Sequence, residues 1–148
     1  MLIDVGWRYG WYFGDLTRTA VVGDASRELE RIYQIVLKAQ NNAIRTVGPE
    51  AQAQVVDRAA RGVIAEAGFG ANFTHRSGHG IGLEVHEPPY LVEGNVTRLR
   101  KGMVFTVEPG IYLSGRLGVR IEDEILVTEK GYENLSASAY PEEELQVI

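Results

Sequence analysis

Acidic residues interrupt four segments of this chain that otherwise have the composition of apolar β-strands. Asp4 and Asp15 lie in aromatic and β-branched stretches near the start of the chain, while Glu108 and Glu122 interrupt MVFTVEPGIYL and VRIEDEILV. A single carboxylate in such a strand usually faces solvent. Several carboxylates gathered in one core would repel one another and raise their pKa values unless a cation neutralised them. The pattern therefore favours strands that fold around a positively charged centre.

The histidines of the chain are as unevenly placed as these carboxylates. His75, His79 and His86 lie within twelve residues of one another, in the glycine-rich segment HRSGHGIGLEVHE. The glycines between them allow the backbone to approach closely whatever the histidines bind. Oxygen-rich ligation with one imidazole suits Mn²⁺, Fe²⁺, Co²⁺ or Zn²⁺, and carboxylates can bridge two ions about 3.5–4 Å apart. Carboxylates and histidines together thus predict a metal site.

Composition limits the classes of function that fit. A chain of 148 residues is long enough for one domain with a sizeable core. Fifteen basic residues against twenty acidic ones, without a Lys/Arg run, argue against nucleic-acid binding. The sequence contains neither a long apolar run nor a signal-like start, so we expect no membrane span and no secretion. The absence of cysteine excludes disulfides and thiolate sites and suits a cytoplasmic location.

The spacing of apolar residues predicts one α+β unit whose polar side chains are concentrated in loops and at strand ends. The predicted elements are, in order, a β-hairpin over 2–22, helices over 26–47 and about 51–67, continuous strands over 103–113 and 119–128, and a turn at Lys130-Gly131. Ser26 is the expected N-cap of the first helix, and Gly48-Pro49 ends it. The last segment, SASAYPEEELQVI, fits either a final strand or a frayed end.

The residues singled out above occur in four stretches: DVGWRYGWYFGDLTRT, HRSGHGIGLEVHEPPYL, GMVFTVEPGIYL and GVRIEDEILVT. In this order they resemble the metal-binding motifs of the pita-bread metallopeptidases (M24 type), which include methionine aminopeptidase, Xaa-Pro aminopeptidase and Xaa-Pro dipeptidase (prolidase). The resemblance extends from residue 2 to about residue 128. It implies the pita-bread form of an α+β fold, with a curved antiparallel sheet and helices on one face. It also implies two bound divalent ions, with Mn²⁺ expected in preference to Co²⁺, Zn²⁺ or Fe²⁺.

Carried over position by position, the resemblance implies five metal ligands. Asp4 would bind one ion, His79 and Glu108 the other, and Asp15 and Glu122 would bridge both. A metal-bridging hydroxide would attack the peptide bond. Glu108 would take the proton of the water and pass it to the leaving proline nitrogen.

The resemblance further implies that His75, His86 and Arg120 take part in catalysis. His86, together with His75, would stabilise the developing oxyanion. Arg120 would either position a substrate carboxylate or order the neighbouring acidic side chains. Two alternatives stay open: His75 only supports other site residues, or Arg120 is only a structural ion-pair partner. Tyr12, Thr17 and Arg18, which flank Asp15, are expected to be supporting residues.

Several details favour the proline-specific branch of the family. Methionine aminopeptidases generally lack a histidine at the position of His75 and an arginine at that of Arg120, and DLTRT is the proline-peptidase form. The implied substrate is thus a peptide with proline at its second position. Two alternatives remain, a methionine aminopeptidase-like enzyme and a metal-free pita-bread binding module. The five intact ligand positions argue against the second.

The catalytic domain of this family is longer than the present chain. The resemblance implies that residues 1–148 are the C-terminal portion of such a domain, without its upstream helices, an upstream substrate-binding histidine and the N-terminal domain. Uncovered sheet edges and apolar helix faces would favour a homodimer. We also expect this chain by itself to have weak or no activity on Xaa-Pro peptides.

Overall fold

The computed structural model of the chain describes residues 1–137 and 145–148. Within them, two α-helices, α1 (Arg27–Ile44) and α2 (Ala53–Glu66), follow an N-terminal hairpin and precede most of the strands. The strands of the described residues are β1 (Leu2–Tyr9), β2 (Tyr12–Val21), β3 (Gly78–Gly80), β4 (Glu87–Leu91), β5 (Val104–Val107), β6 (Gly110–Leu113), β7 (Leu117–Arg120), β8 (Asp123–Val127), β9 (Tyr132–Asn134) and β10 (Gln146–Val147).

The strands of the described residues form three sheets. β1 and β2 make the predicted antiparallel hairpin, and β10 pairs in parallel with the other edge of β2. A five-stranded antiparallel sheet has the order β4-β3-β5-β8-β9, and β6 and β7 form a separate hairpin. In the first hairpin Asp4 lies opposite Thr17 and Gly6 opposite Asp15, so the two aspartates are diagonal neighbours on one face.

Helices α1 and α2 pack against each other and against strands of the larger sheet and of the β6–β7 hairpin. The Ser26 side chain accepts a hydrogen bond from the Leu29 N–H, as expected of an N-cap, and Glu28 and Glu30 place negative charge in the first turn. Fully buried apolar side chains from both helices and from the strands form one core. It includes Ile32, Val36, Val56, Ile64, Phe105, Ile111, Ile121 and Ile125.

The prediction of continuous strands over 103–113 and 119–128 was wrong. Glu108 and Pro109 separate β5 from β6, and Ile121 and Glu122 separate β7 from β8. β5 pairs with β8 in the larger sheet, while β6 pairs with β7 in its own hairpin. Pro109 has no N–H to donate to a strand ladder, which accounts for the first break. Both breaks leave a glutamate at the point where the chain passes from one sheet to another.

Other boundaries agree with the sequence prediction. The turn at Lys130-Gly131 joins β8 to β9, where Thr128 donates a backbone hydrogen bond to Gly131. In the C-terminal segment, Gln146–Val147 forms a short strand, while residues 138–144 lie outside the described residues. Neither helix in the described part of the chain combines the length and apolarity needed to cross a membrane.

Candidate metal centre

Every residue that the sequence indicated as a ligand or catalytic group lines a single cavity of about 600 Å³, together with Arg76. These predicted residues are Asp4, Asp15, His75, His79, His86, Glu108, Arg120 and Glu122. They come from β1, β2, the segment around β3, the break between β5 and β6, and the β7–β8 crossing. The fold thus assembles in one place groups that the sequence separates widely.

Three of these residues form a close group. Ligand atoms of Asp15, His79 and Glu122 all lie within 4.8 Å of one another. Glu108 is adjacent, because its Oε1 lies 3.4 Å from His79 Nε2, and Asp15 Oδ2 lies 4.0 Å from the same nitrogen. Oxygen donors around one imidazole match the preference of divalent first-row metals.

The orientation of His79 leaves one ring nitrogen directed at this group. Its Nδ1 lies 3.0 Å from the Gly80 carbonyl oxygen, which only accepts hydrogen bonds, so Nδ1 carries the proton. The lone pair of Nε2 then faces Asp15 and Glu108. Burial also lowers the pKa of His79 to about 4. The imidazole is therefore neutral near pH 7, in the tautomer that a metal ligand requires.

Glycines allow the strand that carries His79 to pack this closely. A Cβ at Gly78 would lie 1.9 Å from the Thr106 carbonyl oxygen, and a Cβ at Gly80 would lie 2.4 Å from the Pro88 carbonyl oxygen. The His79 N–H donates to Thr106 Oγ1 at 3.1 Å, which fixes the backbone at the histidine. The glycines of the GHG segment are thus required by the packing of β3 between its neighbours.

Three carboxyl groups of the cavity have raised pKa values. Burial raises the pKa of Glu108 to about 7 and, with the added charge of Glu108, that of Glu122 to about 8. Burial and the nearby charge of Asp4 also raise the pKa of Asp15. Each shift shows that the ionised form lacks sufficient counter-charge in this cavity. A divalent cation would supply that charge, so the residues present fit a metal centre.

Arg120 lines the cavity among the acidic side chains. Its guanidinium forms an ion pair with Asp4, which is half-exposed at the cavity rim and outside the close group of three. It also donates to Thr17 Oγ1 at 3.2 Å and lies 4.0 Å from Glu108 Oε2. These contacts match two of the roles considered for Arg120, the ordering of acidic side chains and a structural ion pair.

His75 and His86 lie at different depths in the cavity. His75 Nδ1 lies 2.7 Å from the Arg76 carbonyl oxygen and therefore carries a proton, while Nε2 accepts a hydrogen bond from the Tyr112 hydroxyl at 2.9 Å. Burial lowers the pKa of His75, so the ring is neutral. His86 is exposed, and its ring packs edge-on against that of His79 at a centroid distance of 4.3 Å.

The residues expected to support Asp15 have three different surroundings. Thr17 is buried and donates to Glu122 Oε2. Arg18 instead forms an ion pair with the fully buried Asp123. Tyr12 is 66% exposed and lines a separate depression beside Phe13.

Tyr112 and Arg76 also contact or line the cavity, and neither was predicted from the sequence. The Tyr112 hydroxyl accepts from Arg120 at 3.2 Å and donates to His75, which links two candidate catalytic residues. A tyrosine in a strand usually indicates packing, so the sequence contains no signal for this role. Arg76 lines the cavity and lies over the ring of Tyr90 at 4.8 Å. Its position between two candidate histidines was a usable signal.

Comparison with known proteins gives consistent matches. A sequence model described as metallopeptidase family M24 matches residues 1–129. The chain is 48% identical over 136 residues to a Xaa-Pro dipeptidase of Pyrococcus horikoshii, a match that covers 92% of this chain and 39% of that protein.

Solved structures show the same likeness. A dipeptidase from Mycobacterium ulcerans matches with a TM-score of 0.94 and 46% identity, over 99% of this chain and 39% of that one. An X-Pro aminopeptidase from Thermotoga maritima matches with a TM-score of 0.94 and 41% identity, over 99% of this chain and 41% of that one. The chain thus spans about two fifths of the length of the relatives it matches.

Proposed function

The chain belongs to metallopeptidase family M24, and from this premise we propose that it is part of a proline-specific exopeptidase that hydrolyses Xaa-Pro bonds with two divalent metal ions. The observation that carries the proposal is the close group of Asp15, His79 and Glu122, with Glu108 beside it in the same cavity. Similar proteins named as Xaa-Pro dipeptidase and X-Pro aminopeptidase support the choice of substrate.

The proposed ligands are Asp4, Asp15, His79, Glu108 and Glu122. Mn²⁺ is the first choice of metal, with Co²⁺, Zn²⁺ and Fe²⁺ as alternatives that the same donors accept. When bound, the ions would lower the pKa of a water molecule and polarise the scissile carbonyl. Burial makes the ionised forms of Glu108 and Glu122 unfavourable. This supports the assignment, because a bound cation would stabilise both anions.

Glu108 is the proposed proton carrier. Its Oε1 accepts from Thr106 Oγ1 at 3.3 Å, while Oε2 faces Arg120 at 4.0 Å, so the carboxyl group is held at the cavity wall. Glu108 would receive a proton from the attacking water and deliver it to the leaving proline nitrogen.

The two outer histidines have different proposed roles. His86 is exposed at the cavity beside His79 and would donate to the developing oxyanion. The Nε2 atom of His75 accepts from Tyr112, so His75 would act by orienting that hydroxyl. This favours the supporting role among the alternatives considered for His75.

Two alternatives are less well supported. The similar proteins carry proline-specific names, which disfavours a methionine aminopeptidase-like activity. A metal-free binding module would have no physical reason to bury Glu122 and His79 facing the same cavity. A substrate panel of Xaa-Pro and Met-Ala peptides distinguishes the enzymatic possibilities.

The chain matches only part of the length of its relatives, and this affects the activity expected of the chain alone. We propose that residues 1–148 correspond to the C-terminal portion of a metallopeptidase catalytic domain, consistent with coverage of 39% of the Pyrococcus horikoshii protein. On this proposal the chain alone has weak or no activity on Xaa-Pro peptides. A cytoplasmic location remains a prediction from the cysteine-free composition.

We also propose that the chain forms a homodimer through β1. Among the described residues β1 is an edge strand, and Ile3, Val5 and Trp7 on one of its faces are 39%, 48% and 46% exposed. Exposed apolar edge strands pair readily with a second strand.

The sequence of β1 is complementary to itself. Met1 and Ala20 exchange both backbone hydrogen bonds, so the alternation of an antiparallel ladder directs the N–H and C=O groups of Gly6 toward the open edge. Two copies of β1 paired about Gly6 would place Val5 of each copy opposite Trp7 of the other. This register would match apolar side chains across a two-fold axis.

Metal content is the test of the proposed centre. We would add Mn²⁺ to the purified chain, desalt it and measure bound metal by elemental analysis. The proposal predicts about two ions per chain, lost in Asp15→Ala and His79→Ala and retained in the control Asp24→Ala, an exposed aspartate. No retained metal in the unmodified chain would overturn the proposal for this chain.

A further inference from the structure

We infer that Asp57 and Arg61 of α2, which do not line the cavity, are positioning residues that fix the histidine segment and Glu108. The inference rests on the proposed function, because it concerns how the candidate catalytic groups are held. Asp57 is fully buried in an amphipathic helix. A buried carboxylate is costly unless it is paired and hydrogen-bonded, so its partners indicate what it does.

Both oxygens of Asp57 are engaged. Oδ1 accepts from Ser77 Oγ at 2.6 Å and from an Arg61 terminal nitrogen at 2.9 Å, and Oδ2 accepts from Arg61 Nε at 3.1 Å. The carboxylate and guanidinium planes thus form a two-pronged pair, which restricts the guanidinium to one orientation.

Arg61 uses its remaining donors on the segment that leads into the cavity. It donates to the Phe73 carbonyl at 3.0 Å and to the His75 carbonyl at 2.9 Å. Its guanidinium also lies over the Phe73 ring at 4.2 Å, and that ring packs edge-on against the His75 ring at 5.1 Å. Arg61 therefore contacts both the backbone and the packing partner of His75.

Ser77 extends the same network to Glu108. It is fully buried, and its carbonyl accepts from the Glu108 N–H at 2.8 Å while its own N–H donates to the Leu91 carbonyl at 2.9 Å. The bond from Ser77 Oγ to Asp57 therefore anchors the peptide that receives the Glu108 amide. The Asp57–Arg61 ion pair of α2 is thus linked to His75 through Arg61 and to Glu108 through Ser77.

A buried ion pair with only a structural role would contribute to global stability without a selective effect on the cavity. The two roles are separable because α2 also carries an exposed ion pair, Arg58–Glu93, whose side chains are 55% and 58% exposed. Arg58→Gln is the matched control, since it removes an arginine from the same helix without touching the histidine segment.

The test measures the metal-free chain first, so that it does not depend on metal binding. Ring ¹⁵N NMR reports the His75 tautomer, and amide hydrogen exchange reports the Glu108 N–H. In Ser77→Ala we expect exchange at Glu108 to rise by about tenfold or more relative to the core of α1. In Asp57→Asn we expect His75 to lose its single tautomer. Arg58→Gln should leave both signals unchanged.

A second measurement compares Mn²⁺ affinity among the same variants. We expect Ser77→Ala and Asp57→Asn to weaken binding by about 10–100-fold, the range seen when groups that orient ligands are removed.

Unchanged His75 and Glu108 signals in folded variants would overturn the inference, as would an equal rise of exchange throughout α1. If Asp57→Asn fails to fold, Ser77→Ala decides, since it retains the ion pair. A wild-type chain without metal affinity would contradict the proposed function alone, because the metal-free measurements still decide this inference.

Discussion

Thr17 and Glu122 are joined by a reciprocal pair of hydrogen bonds. The Thr17 hydroxyl donates to Glu122 Oε2 at 2.5 Å, and the Glu122 N–H donates to the Thr17 carbonyl at 3.1 Å. The pair connects β2 to the crossing between β7 and β8, so the carboxylate of Glu122, a proposed metal ligand, is oriented before any ion binds. Preorganisation of this kind strengthens ligand binding because the ordering cost is already met.

Removal of the Thr17 hydroxyl should therefore weaken metal binding. We predict that Thr17→Val lowers Mn²⁺ affinity by about 10–100-fold, because the Glu122 carboxylate loses its orienting donor. Thr17→Ser is the matched control, since it keeps the hydroxyl and should bind nearly as tightly as wild type. Isothermal titration calorimetry checks both variants. Equal affinities for Val and Ser at this position would contradict the prediction.

Stability of the metal-free chain should fall between pH 6.5 and 8. Burial raises the pKa of Glu108 to about 7 and of Glu122 to about 8, from an ordinary value of 4.5. The folded state then binds more protons than the unfolded state, so the stability these groups contribute is full below pH 4.5 and is lost as pH rises through the folded values. His79 acts in the opposite direction, since its contribution is lost as pH falls from 6.5 to about 4.

The measurement for this prediction is the free energy of unfolding by urea at several pH values. With EDTA present, it should decrease from pH 6.5 to 8. Saturating Mn²⁺ should abolish or reverse the decrease, because metal and protons compete for the same carboxylates. Glu122→Gln, which cannot ionise, should flatten the EDTA curve. A metal-free stability that rises over this interval would refute the assigned direction.

Tyr112 should help to keep His75 neutral. Burial lowers the pKa of His75, and the Tyr112 hydroxyl, which donates to the Nε2 lone pair, also favours the neutral ring. Tyr112→Phe removes this donor and leaves the ring buried, so we predict that the pKa of His75 rises only part of the way toward its ordinary value. Proton NMR titration can follow the change, since the chain has only three histidines. Tyr132→Phe, at a half-exposed position in β9, is the control and should leave the titration unchanged.

Self-association should depend on the apolar face of β1. We predict that sedimentation velocity detects a dimer whose population rises with concentration, and that Val5→Lys shifts it toward monomer by placing a charge at the proposed strand pairing. Val22→Lys is the control, because Val22 is 70% exposed outside β1. A monomer at all concentrations, or equal effects of the two lysines, would argue against pairing through β1.

The sequence pointed to these candidate site residues because their types are unusual in their positions. Carboxylates in apolar strands and histidines among glycines limit the chemistry strongly, and every one of these residues lines the cavity. Matches to solved structures over nearly the whole chain confirm the predicted α+β pita-bread fold. Local patterns of this kind are visible in a linear sequence because each depends on near neighbours.

The prediction of continuous strands was wrong because short-range patterns do not show which sheet a segment joins. Alternation of apolar residues across 103–113 persists through Glu108, so periodicity alone does not indicate that the chain leaves one sheet for another there. The same limitation hid the roles of Tyr112 and Asp57, which depend on contacts with residues 37 and 20 positions away.

By itself, the sequence determined which polar residue types interrupt the apolar segments, the order of the motifs, the hairpin and the two helices, since these follow from side-chain chemistry and short-range periodicity. Only the tertiary structure decided that Asp4 pairs with Arg120, that His75 accepts from Tyr112 and that α2 supports the histidine segment. Those relationships depend on how distant segments pack. Their energies come from burial and geometry, which become defined only when the chain has folded.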